Sequence, residues 1–162
     1  MIKPNTLCIV RDDNRILLGM KKRGFGEGRW NGFGGKLQAN ESIEETALRE
    51  LQEEAGIIAN DLKKLGMVDF RFEGKEDVIE VHIFIVRSYQ GEPIETEEMR
   101  PNWFNLDSLP FSDMWPADRY WLPLLLSDKY FLGEALFDRE GDVLKEYSFQ
   151  ELPDGEKLIS SL

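Results

Sequence analysis

The chain has 162 residues, of which 41% are hydrophobic and 31% are charged. This length predicts a single domain over residues 1–162, and the composition excludes a disordered chain. The 20 basic and 31 acidic side chains give a net charge of −11. Neither nucleic acid nor an anionic membrane is therefore expected as a partner.

Cys8 and His82 are the only cysteine and the only histidine in the sequence. An intrachain disulfide, a cysteine zinc cluster and a paired-histidine metal site are therefore excluded. The first residues show no secretory signal, and the longest apolar run, residues 121–126, is far below the roughly 18 residues of a membrane span. We expect a cytoplasmic protein, and no feature of the sequence calls for more than a monomer.

The first half of the chain combines two short strands, a glycine-rich loop and a helix. Residues 5–10 and 15–20 are apolar segments separated by a polar turn, which predicts an antiparallel pair. Six of the fifteen residues 21–35 are glycine, so this loop can bring its backbone close to a ligand. Three aromatic side chains give the loop something to pack against, namely Phe25, Trp30 and Phe33.

Residues 41–55 are the best helix candidate. Ser42 can cap its N-terminus, Glu45 lies where it would complete a capping box, and Gly56 supplies a stop. The capping pattern therefore predicts both ends of this helix.

The second half is predicted to be mostly strands. Residues 78–86 are apolar on both alternating faces, which is typical of a central strand, and His82 within them is interpreted as a buried, hydrogen-bonded side chain rather than a catalytic base. Further elements are expected as strands at 64–72 and 100–106, a helix starting at Trp115–Pro116, and a hairpin of 130–137 and 143–150 around a turn at 140–142. Strands covered by two helices predict an α+β fold.

The first helix carries three glutamates on one side. Each residue of a helix turns about 100°, so Glu50, Glu53 and Glu54 share an arc of about 100°. The arc borders the apolar stripe of the helix, which places the carboxylates at the edge of the core. The stripe consists of Ile43, Ala47, Leu51 and Ala55.

Crowding these carboxylates is unfavourable. Each like-charged pair costs about 0.2–0.5 kcal/mol on an exposed helix, and partial burial makes the cost larger. A bound divalent cation would offset it, and a set of oxygen ligands favours a hard ion such as Mg²⁺ or Mn²⁺. The alternative is an acidic face that is merely solvated.

The segment 35–57 resembles the Nudix box, G-x5-E-x7-R-E-U-x-E-E-x-G-U with U apolar. Every position is matched, and with roughly 7% for each of the seven fixed residues a chance match is far below one in a million. The matched residues are Gly35, Glu41, Arg49, Glu50, Leu51, Glu53, Glu54, Gly56 and Ile57.

The resemblance implies an α/β/α sandwich around a mixed sheet with two main helices, and Mg²⁺-dependent hydrolysis of a nucleoside diphosphate linked to another group. It gives Glu50, Glu53 and Glu54 the metal-binding and base-supplying positions, with Glu54 the first choice for the indispensable residue. It also makes the backbone carbonyl of Gly34 a metal ligand and lets Arg49 orient the glutamates. From the residues alone, Arg49 could instead form an exposed pair with Glu45.

Longer segments narrow the resemblance. Residues 17–36, 98–104 and 113–126 are similar to the Nudix enzymes that hydrolyse oxidised purine nucleoside triphosphates, those of 8-oxoguanine and 2-hydroxyadenine. This likeness covers about residues 5–150 and leaves the segment after about residue 151 without a counterpart. It implies a further metal-site carboxylate at Glu98 and a nucleotide pocket lined by Thr6, Lys21, Phe25, Asn31, Phe70, Ile79, Trp115 and Asp118.

The implied roles agree with the chemistry of the side chains. Trp115 offers a flat face on which a purine can stack, an interaction worth about 1–3 kcal/mol. Asn31 carries both a donor and an acceptor for a purine edge, and Lys21 supplies a cation for sugar or phosphate. For each residue the alternative is a structural role, such as a core position for Trp115 next to a helix-starting proline.

One position departs from the family pattern. The family has two adjacent aspartates after Trp-Pro, whereas this chain has Ala117 and Asp118. Paired carboxylates raise the pKa of one member, which then stays protonated and donates a hydrogen bond to a base. With Ala117 that repulsion is absent, so Asp118 alone would read the base and the discrimination between oxidised guanine and oxidised adenine is expected to differ. Ile79 stands where the family typically has methionine.

The expected function is therefore hydrolysis of an oxidised purine nucleoside triphosphate to the monophosphate and pyrophosphate. One alternative is a Nudix enzyme for another substrate, such as a methylated purine nucleotide, a dinucleoside polyphosphate, ADP-ribose or a nicotinamide dinucleotide. The other is a non-catalytic nucleotide-binding module, against which the complete set of glutamates argues.

Overall fold

The structure is a computed structural model that describes residues 1–159, and within this range ten strands, two α-helices and one short 3-10 turn follow one another. The strands are β1 (Ile2–Asp12), β2 (Arg15–Lys21), β3 (Trp30–Asn31), β4 (Ile58–Ala59), β5 (Lys63–Phe72), β6 (Val78–Val86), β7 (Tyr89–Gln90), β8 (Met99–Asn105), β9 (Tyr130–Phe137) and β10 (Leu144–Leu152). The helices are α1 (Ile43–Ala55) and α2 (Asp118–Leu126), and the 3-10 turn is Phe111–Asp113.

One mixed sheet forms the middle of the molecule, with the strand order β10-β9-β5-β6-β1-β2-β3 and β8 along the other side of β2. The pairs β1–β6 and β5–β9 are parallel, and the remaining pairs are antiparallel. The seven predicted strands are all present, with ends shifted by at most three residues, and β6 is central as expected. Sequence patterns missed the two-residue strands β3, β4 and β7, of which β4 and β7 pair separately.

Helix α1 covers one face of the sheet, and its ends are as predicted. The Ser42 hydroxyl accepts the Glu45 N–H at 3.1 Å, and the Glu45 carboxylate accepts the Ser42 N–H at 3.0 Å. Gly56 closes the helix in the left-handed conformation with φ 71°. The apolar stripe packs on the sheet, because Ala47, Leu51 and Ala55 share one buried cluster with residues of β1, β2 and β6.

Helix α2 covers the opposite face through Trp121, Leu122 and Leu125. The prediction that Pro116 occupies the first helical position is wrong, since α2 begins at Asp118. The Asp118 N–H bonds to the Trp115 carbonyl three residues back, at 3.0 Å, so residues 115–117 form a turn that precedes the helix. Helices on both faces of a mixed sheet confirm the expected α+β fold, an α/β/α sandwich.

His82 is buried within β6, and its Nε2 lies 2.9 Å from the Glu80 carboxylate. Burial lowers the pKa of its imidazole. The interpretation of His82 as a buried, hydrogen-bonded residue is therefore confirmed. In residues 1–159 no helix is both long and apolar enough to cross a membrane.

Part of the glycine-rich loop is inserted between β1 and β2. These strands pair directly only near their turn, and further along the segment 30–36 lies between them. Cys8 and Phe33 exchange two backbone hydrogen bonds, and the Thr6 N–H donates to the Gly35 carbonyl at 2.9 Å. A Cβ atom on Gly34 would lie 1.7 Å from the Thr6 carbonyl oxygen, so this approach requires glycine.

Gly34→Ala is expected to destabilise the fold by about 3 kcal/mol, because the added methyl group overlaps backbone atoms that cannot move aside. Urea unfolding of the variant measures the loss. Gly28→Ala is the control, because nothing lies within 4 Å of a Cβ there and only its φ of 85° opposes alanine, at a cost of about 1 kcal/mol. Equal losses in the two variants would contradict this explanation.

Candidate active site

A cavity of about 560 Å³ lies between the sheet and the glycine-rich loop. The structure brings all eight residues of the predicted nucleotide pocket to its wall, together with Gly34 and Glu54 of the predicted metal site. The wall thus joins an aromatic part around Trp115 to an acidic part around Glu54. The eight pocket residues are Thr6, Lys21, Phe25, Asn31, Phe70, Ile79, Trp115 and Asp118.

Glu54 marks the acidic end of the cavity. It is 6% exposed, and its Oε1 accepts the Gly34 N–H at 2.9 Å, which ties α1 to the inserted segment. Burial raises the pKa of this carboxyl to about 7, and the nearby carboxylate of Glu50 acts in the same direction. Glu54 is thus a buried acid that changes protonation near neutral pH.

Glu50 and Glu53 are both engaged by Arg49. Nη1 of Arg49 lies 2.7 Å from a Glu50 oxygen and 3.2 Å from a Glu53 oxygen. The Glu50 side chain is 16% exposed and that of Glu53 is 60% exposed. The predicted position at the edge of the core is therefore confirmed for Glu50 and Glu54, whereas Glu53 faces solvent.

The alternative in which Arg49 forms an exposed pair with Glu45 is wrong. The Glu45 carboxylate is used by the capping box, and Arg49 instead binds Glu41 through Nε at 2.7 Å and Nη2 at 3.1 Å. The Arg49 guanidinium lowers the pKa of Glu41 to about 2. Glu41 was absent from the predicted site, although it is a matched position of the Nudix box and could have been included on that ground.

Glu98 is the residue directly before β8. Its carboxylate forms ion pairs with two basic side chains. It contacts Nζ of Lys21 at 3.2 Å and Nη2 of Arg23 at 2.7 Å, and the hydrogen bonds from Arg23 and Lys21 lower the pKa of its carboxyl. Lys21 and Glu98 both act electrostatically on Glu54, so the three charges lie in one neighbourhood.

The acidic side chains around Glu54 are of the type that binds a hard divalent cation, and of the predicted ligands Gly34 and Glu54 line the cavity whereas Glu50, Glu53 and Glu98 do not. These side chains supply carboxylate oxygens, and neither His82 nor Cys8 lies on the cavity wall, a donor set that suits Mg²⁺ or Mn²⁺. Among residues 1–159, no three acidic, histidine or cysteine side chains yet converge on one point. The carboxylates of Glu50 and Glu53 are instead turned toward Arg49, and that of Glu54 toward Gly34.

Asp118 belongs to the aromatic part of the cavity wall, which we call the Asp118 end. Its side chain is 4% exposed and accepts the Trp121 indole N–H at 3.0 Å. Burial raises the pKa of Asp118 to about 7 although Ala117 stands beside it. A neighbouring carboxylate is therefore not required to raise the pKa of Asp118, because removal from water has the same effect.

Aromatic rings surround the Asp118 end. Trp115 lies with its ring centroid 5.1 Å from Phe25 and 6.0 Å from Phe72. Phe70 and Ile79 form the apolar wall on β5 and β6. Sequence reasoning missed Phe72, although it lies two residues from Phe70 and therefore on the same face of β5.

Two of the predicted pocket residues also support the backbone. The side-chain NH₂ group of Asn31 donates to the Arg29 carbonyl at 2.9 Å. The side-chain oxygen of Asn31 takes no part in this hydrogen bond. The Thr6 side chain is 3% exposed, and its hydroxyl accepts the Gly35 N–H at 3.4 Å. Thr6 thus helps to hold the glycine segment that carries Gly34.

Comparison with known proteins identifies the family of this fold and site. Residues 1–125 match the model of the NUDIX domain, and the chain belongs to the Nudix family.

Similar proteins of known name agree with this assignment. A mouse protein named oxidized purine nucleoside triphosphate hydrolase is 52% identical over 147 residues, which cover 91% of this chain and 94% of that protein. A zebrafish (Danio rerio) protein of the same name is 50% identical over 149 residues, or 92% and 95% of the two chains. The crystal structure of a MutT protein from Bacillus halodurans superposes with a TM-score of 0.81 at 29% identity, covering 91% and 97%.

Asp118 is expected to make the stability of the protein depend on pH. Its pKa is about 7 in the folded chain against an ordinary value of 3.8, so the folded state binds the proton more tightly than the unfolded state. Its contribution is fully present below about pH 4 and is lost as the pH rises through about 7, a loss on the order of 4 kcal/mol.

Asp118→Asn removes this titration while keeping an oxygen for Trp121. Urea unfolding of both proteins between pH 5 and pH 8 should show the free energy of unfolding of the native protein falling relative to that of the variant as pH rises. A constant difference between the two curves would show that Asp118 titrates at an ordinary pKa.

Proposed function

We propose that this protein hydrolyses oxidised purine nucleoside triphosphates, such as those of 8-oxoguanine and 2-hydroxyadenine, to the nucleoside monophosphate and pyrophosphate. The observation that carries the proposal is the single cavity whose wall runs from Trp115 and Asp118 to Glu54. A base at the first end would place its phosphates toward the second. The names and identities of the mouse and zebrafish relatives support this substrate class.

The base is proposed to bind at the Asp118 end. Trp115 supplies a stacking face, and Phe25, Phe70 and Ile79 close the apolar surroundings. Asp118, protonated near neutral pH, donates a hydrogen bond to an oxygen of the base. Asn31 supplies a second polar contact, and the ammonium group of Lys21, which acts electrostatically on Glu54, supplies a cation for sugar or phosphate.

The phosphates are proposed to lie at the glutamate end. Glu50, Glu53, Glu54 and Glu98, with the Gly34 carbonyl, would hold Mg²⁺, with Mn²⁺ as a substitute. When bound, the ion would supply positive charge that neutralises the phosphates against a protein of net charge −11 and polarises the phosphoanhydride.

The remaining chemistry belongs to side chains of the chain itself. Glu54 is buried at the cavity wall, where its carboxylate is proposed to accept the proton of the attacking water. The water oxygen forms a bond to the attacked phosphorus, the bond from that phosphorus to the oxygen that bridges the α- and β-phosphates breaks, and the nucleoside monophosphate and pyrophosphate separate. Arg49, held by Glu41, orients Glu50 and Glu53.

We further propose that residues 1–162 act as one cytoplasmic domain and as a monomer. Strands β9 and β10 lie beyond the matched residues 1–125 yet continue the same sheet through β5. The last three residues, 160–162, lie outside the described residues.

Initial rates on oxidised and ordinary purine triphosphates with Mg²⁺, scored by pyrophosphate release, test the substrate class. Oxidised bases should be preferred because Asp118 and the aromatic wall read the base. The protein would be a Nudix enzyme for another substrate if it hydrolysed one of the alternatives faster than the oxidised triphosphates. These alternatives are ADP-ribose, dinucleoside polyphosphates and methylated purine nucleotides. No Mg²⁺-dependent turnover on the whole panel would indicate a binding module.

Glu54→Gln is expected to lower kcat by orders of magnitude, because the amide cannot accept a proton and is a weaker metal ligand. Its amide oxygen can still accept the Gly34 N–H, so the melting temperature should change little. Glu44→Gln is the matched control, because Glu44 lies on the same helix but is exposed and off the cavity wall. Near-normal turnover in Glu54→Gln would show that the assignment is wrong.

Ala117→Asp tests how the missing second carboxylate affects base choice. Ala117 is fully buried beside Phe72 and Phe137, so an added carboxyl would repel Asp118 and change which oxygen or nitrogen atoms of the base find a partner. The ratio of kcat/KM for oxidised guanine and oxidised adenine triphosphates should shift. Ala117→Asn is the control, because asparagine has the size of aspartate without its charge. An identical ratio in the native protein and both variants would contradict a role of residue 117 in base choice.

A further inference from the structure

Trp115 separates two cavities. The first is the nucleotide cavity, and the second is a polar cleft of about 520 Å³. Trp115 lines both spaces, whereas Arg29 lines only the polar cleft. Arg29 is therefore on the polar-cleft side and is not part of the nucleotide cavity wall.

Arg29 is in direct contact with the indole. Its guanidinium carbon lies 4.1 Å from the centroid of the Trp115 ring, which is the geometry of a cation–π interaction. The Arg29 side chain is 19% exposed, so much of its surface is covered although it is charged. Removing water from such a contact strengthens it.

Asp142 holds Arg29 in this position from another part of the chain. Its Oδ1 lies 2.9 Å from Nη2 of Arg29. The turn that carries Asp142 is itself ordered, because the Asp138 carboxylate accepts the N–H groups of Asp142 and Val143 at 2.8 and 3.0 Å. The ion pair thus links the glycine-rich loop to the β9–β10 turn.

The same two segments approach Trp115 closely elsewhere. A Cβ atom on Gly26 would lie 3.3 Å from the indole, and one on Gly141 would lie 2.7 Å from it. Phe25, from the glycine-rich loop, also contacts the ring. The indole is therefore bordered by both segments, and the Arg29–Asp142 pair is the polar link between them.

We propose that Arg29, held by Asp142, is a positioning residue that fixes the Trp115 indole as the stacking surface for the purine. This inference rests on the proposed function, in which Trp115 binds the base. Arg29 itself touches neither the cavity nor the reacting phosphates. Its loss should weaken nucleotide binding and leave the chemical step at the glutamates unchanged.

Kinetics of three variants test the proposal. Arg29→Met keeps the length of the side chain without the charge and should raise KM for the preferred triphosphate about tenfold, with kcat changed less than twofold. Arg29→Lys restores a cation and should recover part of the loss, and Asp142→Asn should raise KM about threefold. Arg119→Met, an exposed arginine of α2 outside both cavities, is the control and should behave as the native protein.

A measurement that needs no turnover separates this proposal from the proposed function. Acrylamide quenching of Trp115 fluorescence, isolated by subtracting the signal of matching Trp115→Phe proteins, should increase in Arg29→Met and in Asp142→Asn. If the native protein hydrolyses nothing on the nucleotide panel, the proposed function fails while the quenching result still decides the positioning role.

Several outcomes would overturn the positioning role. An unchanged KM in Arg29→Met would do so, as would a fall in kcat at constant KM, or quenching equal to that of the native protein. Asp142→Asn removes the charged partner of Arg29 at an exposed position, where a substitution should not disturb folding. This variant therefore still tests the proposal if Arg29→Met fails to fold.

Discussion

The candidate site depends on the hydrogen bond from the Gly34 N–H to the Glu54 carboxylate. It joins the acidic helix to a segment that reaches this place only because it is inserted between β1 and β2. The insertion needs glycine where the backbone passes Thr6, and the Thr6 hydroxyl in turn contacts Gly35. Without this arrangement Glu54 would lose its hydrogen bond from the backbone. Nothing would then offset the unfavourable free energy of burying its carboxylate near Glu50.

The two ends of the cavity use one physical effect for two purposes. Burial raises the pKa of both Glu54 and Asp118 to about 7. Glu54 lies near Lys21. The lysine and the proposed metal ion would therefore both favour the charged form of Glu54. Asp118 accepts a hydrogen bond from the neutral indole of Trp121, and burial raises its pKa by more than this bond and the nearby Arg29 lower it. The surroundings of each acid, rather than the acid itself, thus distinguish the proposed proton acceptor, Glu54, from the proposed hydrogen-bond donor, Asp118.

Local patterns predicted most of the fold. The capping box, the glycine stop and the apolar stripe define α1 within a few residues, and alternation located the long strands. The contacts within the site depend on residues far apart in sequence and could not be found in this way. The Arg29–Asp142 pair joins positions 113 residues apart, and the burial of Asp118 follows from how α2 lies on the sheet. Arg49 shows the same limit on a shorter scale, because its partner was decided by the capping role of Glu45.

Arg49 explains how the helix tolerates its acids before any cation binds. Glu41 holds the guanidinium through two nitrogens, whereas Glu50 and Glu53 share the third. The low pKa of Glu41 keeps that anchor charged across the physiological range. Glu50 and Glu53 can therefore turn from Arg49 to an incoming ion without releasing the arginine, since Glu41 remains bound to it. The charge of Glu41 is therefore used to hold Arg49, whereas Glu50 and Glu53 are the residues proposed to bind the metal ion of the substrate complex.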